Sequence, residues 1–204
     1  MKPADGQRKW GGSPTHPLTS PRIITVGHGT TPATEFAELL HSAHITELID
    51  VRTAPGSRRN PQFGKDEMQR WLPENNIAYS WEKRLGGFRK SPPDSPDVAI
   101  RHPSFRAYAS HMRTDQIRTA ITEVLARAAA LEAPNALAIM CSETVWWRCH
   151  RRMIADYLTL IQGIEVQNLM PGPKLTAHSP MPAARIAPTD HGRELIYDVE
   201  PDLT

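Results

Sequence analysis

The sequence predicts an α/β fold, a three-layer sandwich in which helices cover both faces of a mostly parallel central sheet. Short apolar or β-branched runs alternate with helical patterns along residues 22–170, as is typical of parallel sheets. One run, Ala136–Cys141, is continuously apolar, which indicates a central strand buried on both faces. The length of 204 residues fits one domain with tails.

Five runs are predicted as strands, because β-branched, aromatic or other apolar residues dominate them and turn residues or loops bound them. The tight turn Gly27-His28-Gly29 follows the first of them. The predicted strands are Arg22–Val26, Ile45–Val51, Ile77–Trp81, Ala136–Cys141 and Ile164–Leu169.

Helical patterns fill most of the intervals between these strands. The first helix is expected to open with Thr31 as N-cap and Pro32 in its first turn. A second runs from about Lys65 and is expected to be perturbed by Pro73. Three further helices are predicted over residues 105–112, 116–131 and 149–161.

Both ends of the chain differ in composition from its middle. Ten of the 19 prolines lie in residues 1–21 and 171–204. Residues 1–20 are therefore predicted to form a disordered tail. Residues 21–172 form the single α/β domain, and residues 173–204 are expected to be an irregular tail, Pro-rich and then acidic.

The cellular setting is predicted from what the sequence lacks. No apolar run approaches the roughly 18 residues that span a bilayer, and the N-terminus has no apolar core of a secretory signal. Two cysteines without an export signal favour a reducing compartment. We therefore expect a cytoplasmic protein with no membrane partner.

Charge is unevenly distributed along the chain. The net charge is only +2, but residues 52–113 hold 12 Lys/Arg against 6 Asp/Glu. This basic middle favours an anionic partner, either a phosphate-bearing small molecule or a nucleic acid. A solvated basic face explains the same pattern equally well.

Reactive side chains follow four of the predicted strands. Ligands of parallel sheets bind at the carboxyl ends of the strands, so residues at these positions are candidates for a functional site. They are His28 after the first strand, Asp50 and Arg52 at the second, Arg84 after the third, and Cys141, Glu143, Arg148, Cys149, His150 and Arg151 after the fourth.

Cys141 is the candidate nucleophile. Two nearby arginines, Arg148 and Arg151, and the start of the following helix would favour its thiolate. Glu143 or His28 would handle the proton. The alternative is a buried core thiol, which is common for a cysteine at the end of an apolar strand.

Arginines at the strand ends are candidate anion ligands. Arg52 and Arg151 are predicted to hold a phosphate group. Asp50 either pairs with Arg52 or orients His28 or His150, and the sequence does not distinguish these roles.

The two cysteines also suggest a redox or metal-binding sensor. Cys141 and Cys149 would pair reversibly, or would bind a metal together with His28. Adjacent side chains rarely converge on one ion, so His150 is not expected beside Cys149 in such a site.

A further alternative is a non-catalytic nucleic-acid-binding module. Its surface would use Arg58, Arg59, Arg84 and Arg89. Exposed aromatic side chains beside arginine stack on nucleobases, and Trp146 with Trp147 are candidates for that role. Both tryptophans could instead cap the core.

The chain resembles the domain-of-unknown-function 488 family over about residues 22–170. The family implies an α/β domain of bacterial or archaeal origin and no established reaction. Gly29 departs from its pattern, in which serine often stands, so a hydroxyl role would shift to Thr30. The shared motifs are Gly27-His28, Leu48-Ile49-Asp50-Val51-Arg52, Pro55 with Ser57, Phe63, Leu85-Gly86-Gly87, Tyr108, Met140-Cys141-Ser142-Glu143 and Cys149-His150-Arg151.

A looser resemblance links the strand ends to rhodaneses and cysteine phosphatases, whose loops follow a Cys-x5-Arg pattern. Here six residues separate Cys141 from Arg148, and none is a glycine that could turn backbone amides inward. The resemblance therefore implies shared architecture rather than shared chemistry. The leading hypothesis is a thiol-dependent enzyme that acts on a phosphate-bearing ligand.

Overall fold

The structure, a computed structural model, describes residues 21–56, 58–90, 92–190 and 192–199. The predicted disordered tail, residues 1–20, lies outside the described residues, and so does Ser57 of the family motif.

A six-stranded, mostly parallel sheet confirms the predicted fold class. The strands are β1 Ile23–Gly27, β2 Ile45–Asp50, β3 Ala78–Trp81, β4 Ala136–Cys141, β5 Val166–Met170 and β6 Lys174–Ala177. Their order in the sheet is β3-β2-β4-β1-β5-β6, with only β6 antiparallel to its neighbour. β4 lies between β2 and β1, and all its residues are buried, as its continuous apolar run predicts.

Helices cover both faces of this sheet. The helices are α1 Ala33–Ser42, α2 Lys65–Glu74, α3 Pro103–His111, α4 Asp115–Ala129 and α5 Arg151–Leu160. Side chains alternate between faces along a strand, so Ile23 packs with α3, α4 and α5 whereas Ile24 packs with α1 and α2. Among the described residues, no helix has both the length and the apolar character that a membrane span needs.

Helix ends differ slightly from the predicted ones. α1 begins at Ala33 with Pro32 at the N-cap, so Thr31 does not cap it. α2 continues past Pro73 to Glu74, because the proline lies in the last turn, where the helix ends anyway. α5 begins two residues later than predicted, since a short 3₁₀ turn, Trp146–Arg148, precedes it.

The prediction of an irregular tail over residues 173–204 is wrong for the part that the structure describes. β6 joins the main sheet, and β7 Ala184–Thr189 pairs with β8 Gly192–Tyr197 as a hairpin. In β8 only Leu195 and Tyr197 are buried, at 1% and 0% exposure. Two inward residues give too little periodicity for sequence reasoning to recognise a strand.

Buried polar groups fasten this hairpin to the domain. The Asp97 carboxylate pairs with Arg113 at 2.8 Å and accepts the backbone N–H of Tyr197 at 3.2 Å. The Tyr197 hydroxyl donates to Asp156 at 3.1 Å, and Asp156 also bonds His178 at 2.6 Å. The C-terminal segment is thus part of the folded unit.

Replacing Tyr197 by alanine is expected to destabilise the protein by about 3–5 kcal/mol, because it leaves a cavity and removes a hydrogen bond from buried Asp156. The free energy of unfolding from urea denaturation measures the effect. Val199→Ala, at a position that is 41% exposed, is the control and should change stability by less than about 0.5 kcal/mol. A similarly small change for Tyr197→Ala would mean that the hairpin is not packed as described.

Candidate active site

The carboxyl ends of β1, β2 and β4 open into one cleft with a volume of about 690 Å³. His28 follows β1, Arg52 follows β2 and Cys141 ends β4, and all three line the cleft. Parallel strands end at the same edge of a sheet, which explains the convergence. The other predicted site residues that line it are Glu143, Arg148, Cys149 and His150.

Two thiols and one imidazole meet at the floor of this cleft. Cys141 Sγ, Cys149 Sγ and His150 Nδ1 lie within 4.8 Å of one another. Nδ1 is 3.9 Å from Cys141 Sγ and 3.6 Å from Cys149 Sγ. His150 Nε2 lies 3.1 Å from the Val51 carbonyl, which can only accept. Nε2 therefore carries the proton and the Nδ1 lone pair faces the thiols.

The approach of His150 to Cys149 is contrary to the expectation for adjacent residues. Cys149 has extended backbone, with φ −125° and ψ 149°, whereas His150 is helical, with φ −58° and ψ −24°. This change of backbone conformation at the start of α5 turns both side chains to the same side. Sequence spacing alone carries no signal for it.

The surroundings shift the pKa values of the two thiols in opposite directions. Hydrogen bonding by Cys149 lowers the pKa of Cys141 well below its ordinary value, despite burial. Arg151 acts in the same direction, and so does the His150 imidazole once Nδ1 has taken a proton. The same bond, together with burial, raises the pKa of Cys149 well above its ordinary value. Cys141 is thus the thiol that ionises.

The imidazole of His150 is held by the Leu85-Gly86-Gly87 motif and Tyr108. A Cβ on Gly87 would lie only 2.7 Å from His150 Nδ1, so no other residue fits there without displacing the ring. Tyr108 packs edge-on against the ring, with centroids 4.9 Å apart, and its hydroxyl donates to the Leu85 carbonyl at 2.8 Å. These positioning roles were not predicted from the sequence.

His28 lies beside the cluster but both its ring nitrogens are engaged. Nδ1 donates to the Gly29 carbonyl at 2.8 Å, and Nε2 accepts from Arg52 Nη1 at 3.2 Å. Arg52 in turn makes a two-pronged pair with buried Asp50, at 2.9 and 2.5 Å. The predicted proton handler is therefore bonded to the predicted anion ligand, which is itself bonded mainly to Asp50. Asp50 does not line the cleft.

Arg151, predicted to hold an anion, lies beneath the loop that follows β4. It is completely buried, and its guanidinium donates to the carbonyls of Glu143 and Thr144. Gly27 permits this loop to close over β1, because a side chain there would collide with the Glu143 carbonyl. The carboxylate of Glu143 is exposed at the cleft and accepts from the Val145 N–H.

Arg148 is the exposed cation of the cleft. Its side chain lines the cleft and has no ion-pair partner among the residues the structure describes. Trp147 beside it is 50% exposed and packs edge-on against Trp146 rather than into the core.

Three of the arginines predicted to bind nucleic acid lie outside the cleft and fall into two groups. Arg84 pairs with Glu82 and Glu123, so its charge is balanced. Arg58 and Arg59 are exposed and have no ion pair within the described part of the chain. Only the second group offers free charge to a polyanion.

Cys141, Cys149 and His150 are also a donor set that zinc and other soft metals bind. Tetrahedral zinc with bonds of about 2.3 Å to sulfur and 2.0 Å to nitrogen places sulfur and nitrogen roughly 3.5 Å apart and two sulfurs roughly 3.8 Å apart. The sulfur–nitrogen distances of 3.6 and 3.9 Å are close to this geometry, and the two sulfurs lie within 4.8 Å of each other. The structure places His150, rather than His28, with the two cysteines.

Comparison with protein families matches residues 32–158 to the domain of unknown function DUF488. The match covers more than half of the chain, and the protein belongs to this family. It includes β2, β4 and the start of α5, and hence the two cysteines and His150. Comparisons with curated proteins and with solved structures gave no significant match.

The state of His28 predicts how stability depends on pH. Burial, and then the positive charge of Arg52, lower the pKa of His28 from 6.5 to about 4. Between these values the unfolded chain binds a proton that the folded protein does not, so stability falls as the pH is lowered from 6.5 to about 4. The loss from this group is about 3 kcal/mol in total.

Urea denaturation of the wild type and of His28→Gln across this pH range measures the effect. The variant should lose less stability than the wild type on acidification, because glutamine does not titrate. Parallel pH curves for the two proteins would contradict the neutral, buried state of His28.

Proposed function

We propose that the protein is a thiol-dependent enzyme that acts on a small phosphate-bearing ligand, with Cys141 as its nucleophile. The observation that carries the proposal is the placement of Cys141 Sγ at the floor of the cleft, 3.9 Å from a basic nitrogen of His150. A nucleophilic thiol beside an oriented imidazole is the arrangement that covalent catalysis requires.

The chemistry follows from these neighbours. The Cys141 thiol gives its proton to His150 Nδ1, and the thiolate forms a bond to the electrophilic centre of the ligand. The bond from that centre to the leaving group breaks, and the leaving group takes the electron pair and the proton from Nδ1. Water then attacks the adduct, loses a proton to Nδ1 and releases the thiol.

A phosphate group is supported by the lining of the cleft. Arg148 supplies a charge that no described carboxylate neutralises, whereas Arg52 is bound to Asp50. Hydroxyl side chains of Thr30 and Ser142 also line the cleft and can donate to phosphate oxygens. The volume of about 690 Å³ suits a small molecule, because such sites are roughly 300–1,000 Å³.

A non-catalytic nucleic-acid-binding module is the second candidate. The exposed side chains of Arg58, Arg59 and Trp147 favour it. It has less support because Arg84 and Arg89, two of the four arginines assigned to it, donate to carboxylates or backbone carbonyls of this chain.

Iodoacetamide should alkylate Cys141 with a rate that rises at a pH well below the value of about 8.5 that is typical of a free thiol. Gly87→Ala, which displaces the His150 ring without removing an ionisable group, should slow the reaction at pH 7 by about tenfold. Gly56→Ala is the matched control, because a Cβ there meets nothing within 4 Å. If Cys141 stays unmodified up to about pH 9, it is a core thiol and the proposal fails.

Inorganic pyrophosphate should protect Cys141 from this alkylation. Arg148→Ala should raise the half-protecting concentration about tenfold, since one charge-assisted contact contributes roughly 1.5 kcal/mol. Arg58→Ala is the matched control outside the cleft and should leave protection unchanged. A different result would favour the nucleic-acid-binding module: pyrophosphate would give no protection, and Arg58→Ala would weaken the binding of single-stranded DNA.

A further inference from the structure

The second thiol of the site has no role in the reaction just described. Cys141 and Cys149 are the two cysteines of the chain, both are buried, and both line the cleft. Their sulfur atoms lie within 4.8 Å of each other, although seven residues lie between the two cysteines in the sequence. A thiol in this place can reach any group that becomes attached to Cys141.

We propose that Cys149 is the resolving thiol of Cys141, so that oxidation by a hydroperoxide stops at a reversible Cys141–Cys149 disulfide. The inference rests on the proposed nucleophilic role of Cys141 and adds a mode of regulation to the same site. The disulfide removes the nucleophile, and a small dithiol reductant restores it.

The reaction proceeds in two balanced steps. The Cys141 thiol gives its proton to His150 Nδ1, and the thiolate attacks one oxygen of hydrogen peroxide. The O–O bond breaks, and hydroxide leaves and takes the proton from Nδ1 to form water, which frees Nδ1 again. This oxidises Cys141 to a sulfenic acid. Cys149 then gives its proton to His150 Nδ1 and attacks Cys141 Sγ; hydroxide leaves and takes that proton, which yields the disulfide and a second water.

The geometry supports a local closure of this bond. A disulfide requires sulfurs about 2.05 Å apart, and a change of one cysteine rotamer moves its Sγ by about 2.9 Å. A movement of that size toward the other sulfur would close a gap of up to 4.8 Å. Arg151 fixes the loop between the cysteines through the carbonyls of Glu143 and Thr144, so the bond must form by rotation of the cysteine side chains.

The experiment exposes reduced, full-length protein, with and without prior treatment with a chelator, to a small excess of hydrogen peroxide. Intact mass and free-thiol counts are then measured before and after dithiothreitol. Wild-type protein should lose two hydrogen atoms and both thiols together, within the monomer, and recover both on reduction. Cys149→Ser should instead carry added oxygen atoms on Cys141 and recover at least about tenfold less alkylatable Cys141.

Cys141→Ser is the matched control, and its Cys149 should stay reduced at the same dose. Sulfinic or sulfonic acid on wild-type Cys141, or a disulfide between two chains on a non-reducing gel, would overturn the inference. So would thiols that react only after a chelator has removed a bound metal, because the pair would then serve as metal ligands. If iodoacetamide alkylates Cys141 readily but peroxide forms no disulfide, this inference fails and the proposed function stands. If iodoacetamide does not alkylate Cys141 in the folded protein, the proposed function fails.

Discussion

Arg151 is buried without a carboxylate partner among the described residues, and the geometry of the site depends on it. Transfer of a guanidinium from water into a protein interior costs several kcal/mol unless other groups solvate it. Here the carbonyls of Glu143 and Thr144 do so. The same bonds fix the loop from Cys141 to the start of α5. A variant without the guanidinium would release that loop and separate the two cysteines.

The buried charge of Arg151 has a second effect, on the thiols themselves. Its positive potential contributes to the lowered pKa of Cys141 and opposes the rise in the pKa of Cys149. Carbonyl oxygens screen a cation less completely than a carboxylate would, so part of the field remains available to a thiolate. The arginine expected to bind an anionic substrate thus acts on an anion that belongs to the protein.

Much of the fold could be predicted from sequence, because the signals are periodic. The alternation of apolar runs with amphipathic helices identified all five parallel strands, and Ala136–Cys141 was located without error. The β7–β8 hairpin could not be found in this way. It is held by Leu195, Tyr197 and the distant carboxylate of Asp97, and such long-range partners leave no local pattern.

The sequence predicts where the site residues lie, but it does not predict what each residue does there. The rule that ligands bind at the carboxyl ends of parallel strands placed His28, Arg52 and Cys141 in one cleft. The roles depend on where each side chain points within one turn of backbone. The sequence does not show that Arg151 points inward, that His28 is bonded to Arg52, or that His150 turns toward the cysteines.

Because the two thiols lie close together, only one of them ionises readily. Two buried thiolates with sulfurs within 4.8 Å would repel each other strongly, so loss of one proton disfavours loss of the second. Hydrogen bonding by Cys149 lowers the pKa of Cys141, which is therefore the thiol that ionises first. Once Cys141 forms a covalent bond, its contribution to the raised pKa of Cys149 is lost, and only the contribution of burial remains. Reaction at the first sulfur therefore activates the second.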